Sequence, residues 1–210
     1  MKSGIIFDMD GTLWDSSGQV AESWNETVEK CGYNRRLTAL DMQSVMGKTM
    51  DVLSKILFPD LSDEKRAELL DICGKEENKY LSTHGGTLYP GLLKTLGALK
   101  EKYHLYIVSN CQSGYIEAFL DYYQFHSMFE DIECYGNNGN SKGENIALIC
   151  RRNHLDAAVY VGDIQGDYEA SKEAGIKFIH AAYGFGTIDE TVPEINSLTE
   201  LADMADRILG

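Results

Sequence analysis

The sequence predicts an α/β fold, a Rossmann-like parallel sheet with helices on both faces, interrupted by an inserted all-helical segment. Three observations predict it. From about residue 88 to the C-terminus, strand and helix patterns alternate, and parallel strands need such crossover helices. The apolar run Gly4-Ile5-Ile6-Phe7 reads as a buried strand, and it ends in the polar turn Asp8-Met9-Asp10-Gly11-Thr12. Between these regions, residues 16 to about 83 offer helical patterns and no convincing strand.

Each element has its own signal. The first helix after the Asp8 strand carries Val20, Trp24, Val28 and Cys31 on one face, and residues 62–80 read as a long, charged, amphipathic helix. These helices are expected to form an inserted domain over residues 16–85, hinged near 14–18 and 83–88, with residues 1–15 and 86–210 making the core. Pro90-Gly91 opens a helix reaching about residue 102, and residues 105–110 then form a strand ending in Ser109 and Asn110. Ile116, Phe119, Leu120 and Tyr123 recur at the i, i+3, i+4, i+7 spacing of a helix with a core-facing stripe. Residues 129–135 read as a short strand, 136–141 as a plain loop, and 144–153 as a helix with Ile146, Ile149 and Cys150 inward. The strand at 157–161 closes at Gly162-Asp163. A helix through Ala174, a strand at 177–181 and a last helix at 198–209 complete the series.

Composition narrows the class. With 210 residues, 43% of them hydrophobic and 25% charged, the chain has the makeup of a self-folding globular protein. A formal net charge of -14 argues against a nucleic-acid partner, because phosphate neutralisation needs clustered Lys and Arg. The five cysteines (Cys31, Cys73, Cys111, Cys134 and Cys150) are scattered and form no C-x-x-C pair, which predicts reduced thiols and a cytoplasmic protein. No apolar stretch approaches the roughly 18 residues of a membrane span, so no membrane partner is expected. The five histidines lack zinc-ligand spacing.

The chemistry lies where strands end. In an open parallel sheet the carboxyl edge is the ligand site, and here it would gather Asp8 and Asp10, Ser109 and Asn110, Lys142, and Asp163 with Asp167 four residues on. Buried carboxylates are costly unless a cation or hydrogen-bond donors compensate them. Together these groups suit phosphoryl transfer. A carboxylate can accept the phosphoryl group and be released by water, and a second acid can move the protons. A divalent cation held by several carboxylates lets the nucleophile approach an anionic phosphate, while a lysine and a hydroxyl hold the phosphoryl oxygens.

This ordered set resembles the haloacid dehalogenase superfamily, specifically its magnesium-dependent phosphatases with a helical cap. Asp8-Met9-Asp10-Gly11-Thr12 looks like the first motif, Ser109-Asn110 the second, Lys142 the third, and Gly162-Asp163-Ile164-Gln165-Gly166-Asp167 the fourth. The resemblance implies Asp8 as nucleophile, and Asp10 as general acid and base and as a metal ligand through its backbone carbonyl. It also implies Asp163 as a direct Mg2+ ligand alongside Asp8, Asp167 in support of the metal, and Ser109 and Lys142 on the transferring phosphoryl group. Thr12 and Asn110 are further candidate substrate contacts. Gly47 in the inserted segment and Tyr183-Gly184-Phe185-Gly186 make the chain most similar to phosphoglycolate phosphatase-like members, acting on a small phosphorylated metabolite as a monomer or weak homodimer. Lys48, beside Gly47, is a candidate substrate contact, and Arg35 and Arg36 share the loops expected to set specificity. In one departure, Gly143 stands where a proline is common after the lysine.

Other readings of the same residues exist. A signalling receiver domain also gathers acids, a hydroxyl and a lysine around a phosphorylated aspartate, but the chain length, the helical insertion and Asp10 argue against it. A sugar-phosphate mutase, a 5'-nucleotidase or a pyrophosphatase would keep the fold. Singly, Ser109-Asn110 could cap a helix, Asp163 and Asp167 could serve a helix N-terminus, and Lys142 competes with Lys172 and Lys177. The residues between Phe119 and Tyr123 read as core, and Cys111 as a small half-buried neighbour of the site.

Overall fold

The protein is described by a computed structural model covering residues 1–210. Its centre is a six-stranded sheet of order β5-β4-β1-β6-β7-β8 in which every pairing is parallel. The strands are β1 (Ser3–Phe7), β4 (His104–Ser109), β5 (Asp131–Cys134), β6 (Ala157–Gly162), β7 (Lys177–Ala181) and β8 (Glu194–Ile195). Side chains alternate between two cores with the period of two that a strand imposes. Ile5, Phe7, Leu105, Ile107, Val159 and Val161 belong to the larger core, whereas Ile6, Tyr106, Val108, Ala158 and Tyr160 belong to the smaller one.

Helices close both faces. Ile146 and Ile149 of α8 (Lys142–Arg152) and Ala170 of α9 (Gln165–Ala174) cover the smaller core. The larger one is filled from α5 (Leu92–Lys100), α6 (Tyr115–Tyr123) and α10 (Leu201–Leu209) and also from the helices between residues 17 and 84. Those are α1 (Ser17–Lys30), α2 (Ala39–Gln43), α3 (Met50–Leu57) and α4 (Asp63–His84). They add Val20, Trp24, Val28, Leu53 and Leu69 to one continuous apolar cluster with the sheet. Their ends are tied by an antiparallel ribbon of β2 (Trp14–Asp15) and β3 (Thr87–Leu88), in register Trp14↔Leu88 and Asp15↔Thr87. Two-residue strands carry no readable period, so neither this ribbon nor β8 had a signal in the sequence.

Several local expectations need correction. The strand predicted at 129–135 is only Asp131–Cys134, because Tyr135 opens a one-turn helix, α7 (Tyr135–Asn138), inside the stretch predicted as loop. Helix α8 begins at Lys142 rather than at 144. Ser141 caps it, its Oγ accepting from Glu144 N (3.1 Å) while Glu144 returns a carboxylate to Ser141 N (2.8 Å). Asn110 lies one residue past β4. Cys150 faces inward onto the smaller core and Cys31, just past the end of α1, packs against the larger one, each of them half-buried. No helix is long and apolar enough to cross a membrane.

Candidate active site

The strand order reverses at β1, which lies between β4 and β6, and this is where a crevice opens at the carboxyl edge of a parallel sheet. Asp8 follows β1, Ser109 ends β4, and Asp163 follows β6. Lys142, the first residue of α8, reaches in from the side. Its ammonium donates to Asp8 Oδ1 (2.9 Å) and to Asp167 Oδ1 (2.6 Å), with all three side chains almost completely buried. Lys172 and Lys177 make no such contact. Burial alone would lower the Lys142 pKa, but the Asp167 and Asp8 carboxylates hold it well above its usual range.

The carboxylates outnumber that one ammonium. Asp8, Asp163 and Asp167 offer oxygens that all lie within 4.8 Å of one another. Burial, then the charge of Asp167, pushes Asp8 up to about 7 despite Lys142, and burial with Asp167 and Asp8 raises Asp163 well above the ordinary carboxylate range. Asp163 Oδ2 accepts from Phe185 N (2.7 Å), whereas Oδ1 is buried with no donor at all. An orphaned oxygen among three clustered carboxylates is a set that fits a hard divalent cation. The backbone closes tightly on it. A Cβ on Gly11, at φ +80°, would collide with the Asp163 carboxylate, and one on Gly184 would collide with Asp163 and the Gly11 carbonyl. Asp167 also serves helix α9, its Oδ2 accepting from Asp163 N (3.0 Å) and Ile164 N (3.1 Å), so the capping and site readings of this residue hold together.

Asp10 is kept apart from that cluster. Its Oδ1 accepts from Tyr115 OH and from Ser16 Oγ, both at 2.7 Å, and burial raises it to about 6 against those two donors. Tyr115 and Ser16 escaped the sequence reading. Tyr115 sits one position before the apolar stripe of α6, and nothing local marks Ser16. Ser109 is 4% exposed and Thr12 fully buried with an unpartnered hydroxyl, while the Thr12 carbonyl accepts from Tyr183 OH (2.9 Å).

A narrow cavity of about 50 Å³ adjoins Asp10, Ser109 and Asn110, and it is walled on its far side by α1, α4 and the 42–53 stretch. Lys48 lies on the rim of this wall, exposed to solvent, beside Gly47, whose carbonyl accepts from Asn110 Nδ2 (2.8 Å). Arg35 and Arg36 do not line it. Arg35 stacks over Phe58 and pairs with Asp60 (3.9 Å) elsewhere, which removes both arginines from the set facing the site. The departure at Gly143 also has a local cause, since any Cβ there would overlap Glu173, whose Oε1 accepts from Ser141 Oγ (2.9 Å).

Known proteins match this arrangement along most of the chain. Residues 5–181 fit the family model described as haloacid dehalogenase-like hydrolase. A phosphoglycolate phosphatase of Aquifex aeolicus is 28% identical over 197 residues, covering 90% of this chain and 89% of that protein. One of Vibrio vulnificus strain YJ016 is 29% identical over 220 residues, covering 95% and 94%. Among solved structures, a haloacid dehalogenase-like family hydrolase of Streptococcus pneumoniae superposes with a TM-score of 0.81 at 21% identity, over 97% of this chain and 98% of its own, a likeness of fold. The order of the four acids, the hydroxyl and the lysine along the sheet edge and the match over residues 5–181 lead to one assignment: the chain belongs to the haloacid dehalogenase-like hydrolases.

Proposed function

We propose that the protein is a Mg2+-dependent phosphate monoester hydrolase acting on a small phosphorylated metabolite through a phospho-Asp8 intermediate, in the manner of phosphoglycolate phosphatases. The observation that carries this reading is the separation of two carboxyls: Asp8, buried and bound to Lys142, and Asp10, held apart by Tyr115 and Ser16. Asp8 attacks phosphorus and the ester oxygen leaves with the Asp10 proton. Asp10 then takes a proton from water, whose oxygen attacks the phosphorus of phospho-Asp8, releasing inorganic phosphate and restoring the carboxylate. Lys142 and the Ser109 hydroxyl hold the phosphoryl oxygens, with Thr12 and Asn110 at the same edge. Asp8, Asp163 and the Asp10 carbonyl would hold Mg2+, with Asp167 in support, and the ion would neutralise the phosphate against the carboxylates and polarise it.

Residues 16–85 act as a cap over this edge, and the β2–β3 ribbon is its hinge. The cap shields phospho-Asp8 and meets the leaving group, where Lys48 is a candidate contact. The free cysteines fit a reducing cytoplasm, and the narrow cavity fits a small ester. The test is release of inorganic phosphate from p-nitrophenyl phosphate and phosphoglycolate with Mg2+, with EDTA, and in Asp8→Asn. Turnover should need both the ion and Asp8. Full activity in Asp8→Asn overturns the mechanism, an isomerised sugar phosphate without phosphate release indicates a mutase, and a long-lived phospho-Asp8 with no turnover indicates a receiver.

A further inference from the structure

One ionisable group on the cavity wall has no part in the reaction above. Glu77 of α4 is 4% exposed and lines the cavity opposite Asp10, among apolar neighbours such as Val20, Met50 and Leu53. Trp24 Nε1 of α1 donates to its Oε2. Gln112, the other donor near it, gives one amide hydrogen to Asn78 Oδ1 (3.0 Å) and turns the second toward Glu77, whose two oxygens still have acceptor capacity for whatever occupies the cavity. The polar character of this space is therefore that of an acceptor. Glu77 brings carboxyl oxygens, Asn110 Oδ1 has no donor, and the single cation, Lys48, is exposed to solvent and makes no ion pair. A deeply buried acceptor weighs more than a solvent-exposed cation, because an unmet polar group in a dry site is penalised strongly and a wet one is not.

We propose that Glu77 selects the leaving alcohol, favouring one that carries a hydrogen-bond donor, a hydroxyl or an ammonium group, over one that carries a carboxylate. The inference rests on the phosphatase reading and deepens it. It separates this chain from its phosphoglycolate phosphatase relatives at the leaving-group end of the substrate while keeping the phosphoryl end the same. A ligand donor would pair with Glu77, whereas a glycolate carboxylate would face the Glu77 carboxyl across a narrow apolar space. The Trp24 contact also makes the residue unusually informative to mutate. In Glu77→Gln the indole N–H requires the amide oxygen, so the NH2 group turns to the cavity and an acceptor becomes a donor.

The experiment compares kcat/KM for three two-carbon esters of matched size: 2-hydroxyethyl phosphate, phosphoethanolamine and 2-phosphoglycolate. The native protein should prefer one or both of the first two by at least about tenfold, a difference typical of a satisfied against an unsatisfied buried polar group. Glu77→Gln should shift that ratio toward phosphoglycolate by about tenfold or more, and loss confined to the amino ester identifies the ammonium as the recognised donor. The inference is overturned by native preference for phosphoglycolate, by equal use of all three, or by an equal loss on all three in Glu77→Gln, which would make Glu77 a structural partner of Trp24. The native order needs no variant and decides the matter if Glu77→Gln does not fold. Absence of turnover on these esters and on p-nitrophenyl phosphate alike strikes the phosphatase reading instead.

Discussion

Removing the charge of Asp8 should make the metal-free protein more stable. Asp8 is fully buried, and its pKa rises from an ordinary aspartate's 3.8 to about 7, chiefly through burial and then through Asp167. Because the folded pKa is raised, the fold favours the protonated form. Below about pH 4 folded and unfolded chains are both protonated and no penalty exists. It accumulates as the pH rises through the window from 3.8 to about 7 and is complete above it. The full gap is worth roughly 4 kcal/mol at about 1.36 kcal/mol per decade. Asp8→Asn keeps an oxygen for the Lys142 ammonium while discarding the charge, so at pH 8 with EDTA it should gain roughly 1–4 kcal/mol, and about 2–4 °C in Tm for each kcal/mol in a chain of this size. Thermal and urea unfolding at pH 5 and pH 8 measure this. The gain should shrink toward the acid end, and Mg2+ should stabilise the native protein more than the variant. A variant less stable than native at pH 8 without metal, or equally stabilised by Mg2+, refutes the claim that the carboxylate cluster is under electrostatic strain.

Three further perturbations isolate single contacts. Tyr115→Phe removes a hydrogen bond that favours ionised Asp10, so the carboxyl should rise above about 6, and the alkaline limb of kcat/KM, where Asp10 loses its proton, should move up by roughly half to one pH unit. A downward move in the pH–rate profile contradicts the assignment of Asp10 as acid. Gly143→Ala should lose about 1–3 kcal/mol by collision with Glu173, and Glu173→Ala in the same chain should restore only part of it, because the Glu173 Cβ alone lies 2.7 Å from the added Cβ, as a double-mutant cycle of chemical denaturation will read. Asn110→Ala breaks the bond to the Gly47 carbonyl (2.8 Å), at a cost of about 1 kcal/mol, and should speed limited proteolysis between residues 38 and 50. Unaltered cleavage there would mean that the bond does not restrain that loop.

The parallel core was legible because its strands are buried on both faces and end in polar residues, a pattern that survives without any neighbour being known. Asp8, Asp10, Ser109, Lys142, Asp163 and Asp167 fall together because each stands at the end of a strand or the start of the helix beside one. What stayed hidden depends on contacts between distant segments. Ser16 and Tyr115 meet only over Asp10, and Trp24 meets Glu77 across two helices, at separations where no local pattern reports the partner. Glu77 itself reads as one more charge on a charged helix, and only the packing of α4 against α1 shows that it is buried. Arg35 and Lys48 show the reverse failure. Both were plausible cations in one stretch, and the three-dimensional path brings only Lys48 to the cavity.

The ribbon joining Trp14-Asp15 to Thr87-Leu88 has an evolutionary consequence. The chain departs on one strand of this separate ribbon and returns on the other, so everything between them is, topologically, a hairpin loop of arbitrary length. Loop-closure entropy grows only with the logarithm of length, about 0.6 kcal/mol per doubling, so a lineage can lengthen, trim or exchange that loop without re-threading the sheet. On the proposed cap role, substrate range can thus drift at one address in the gene while the acids at the sheet edge stay fixed at others.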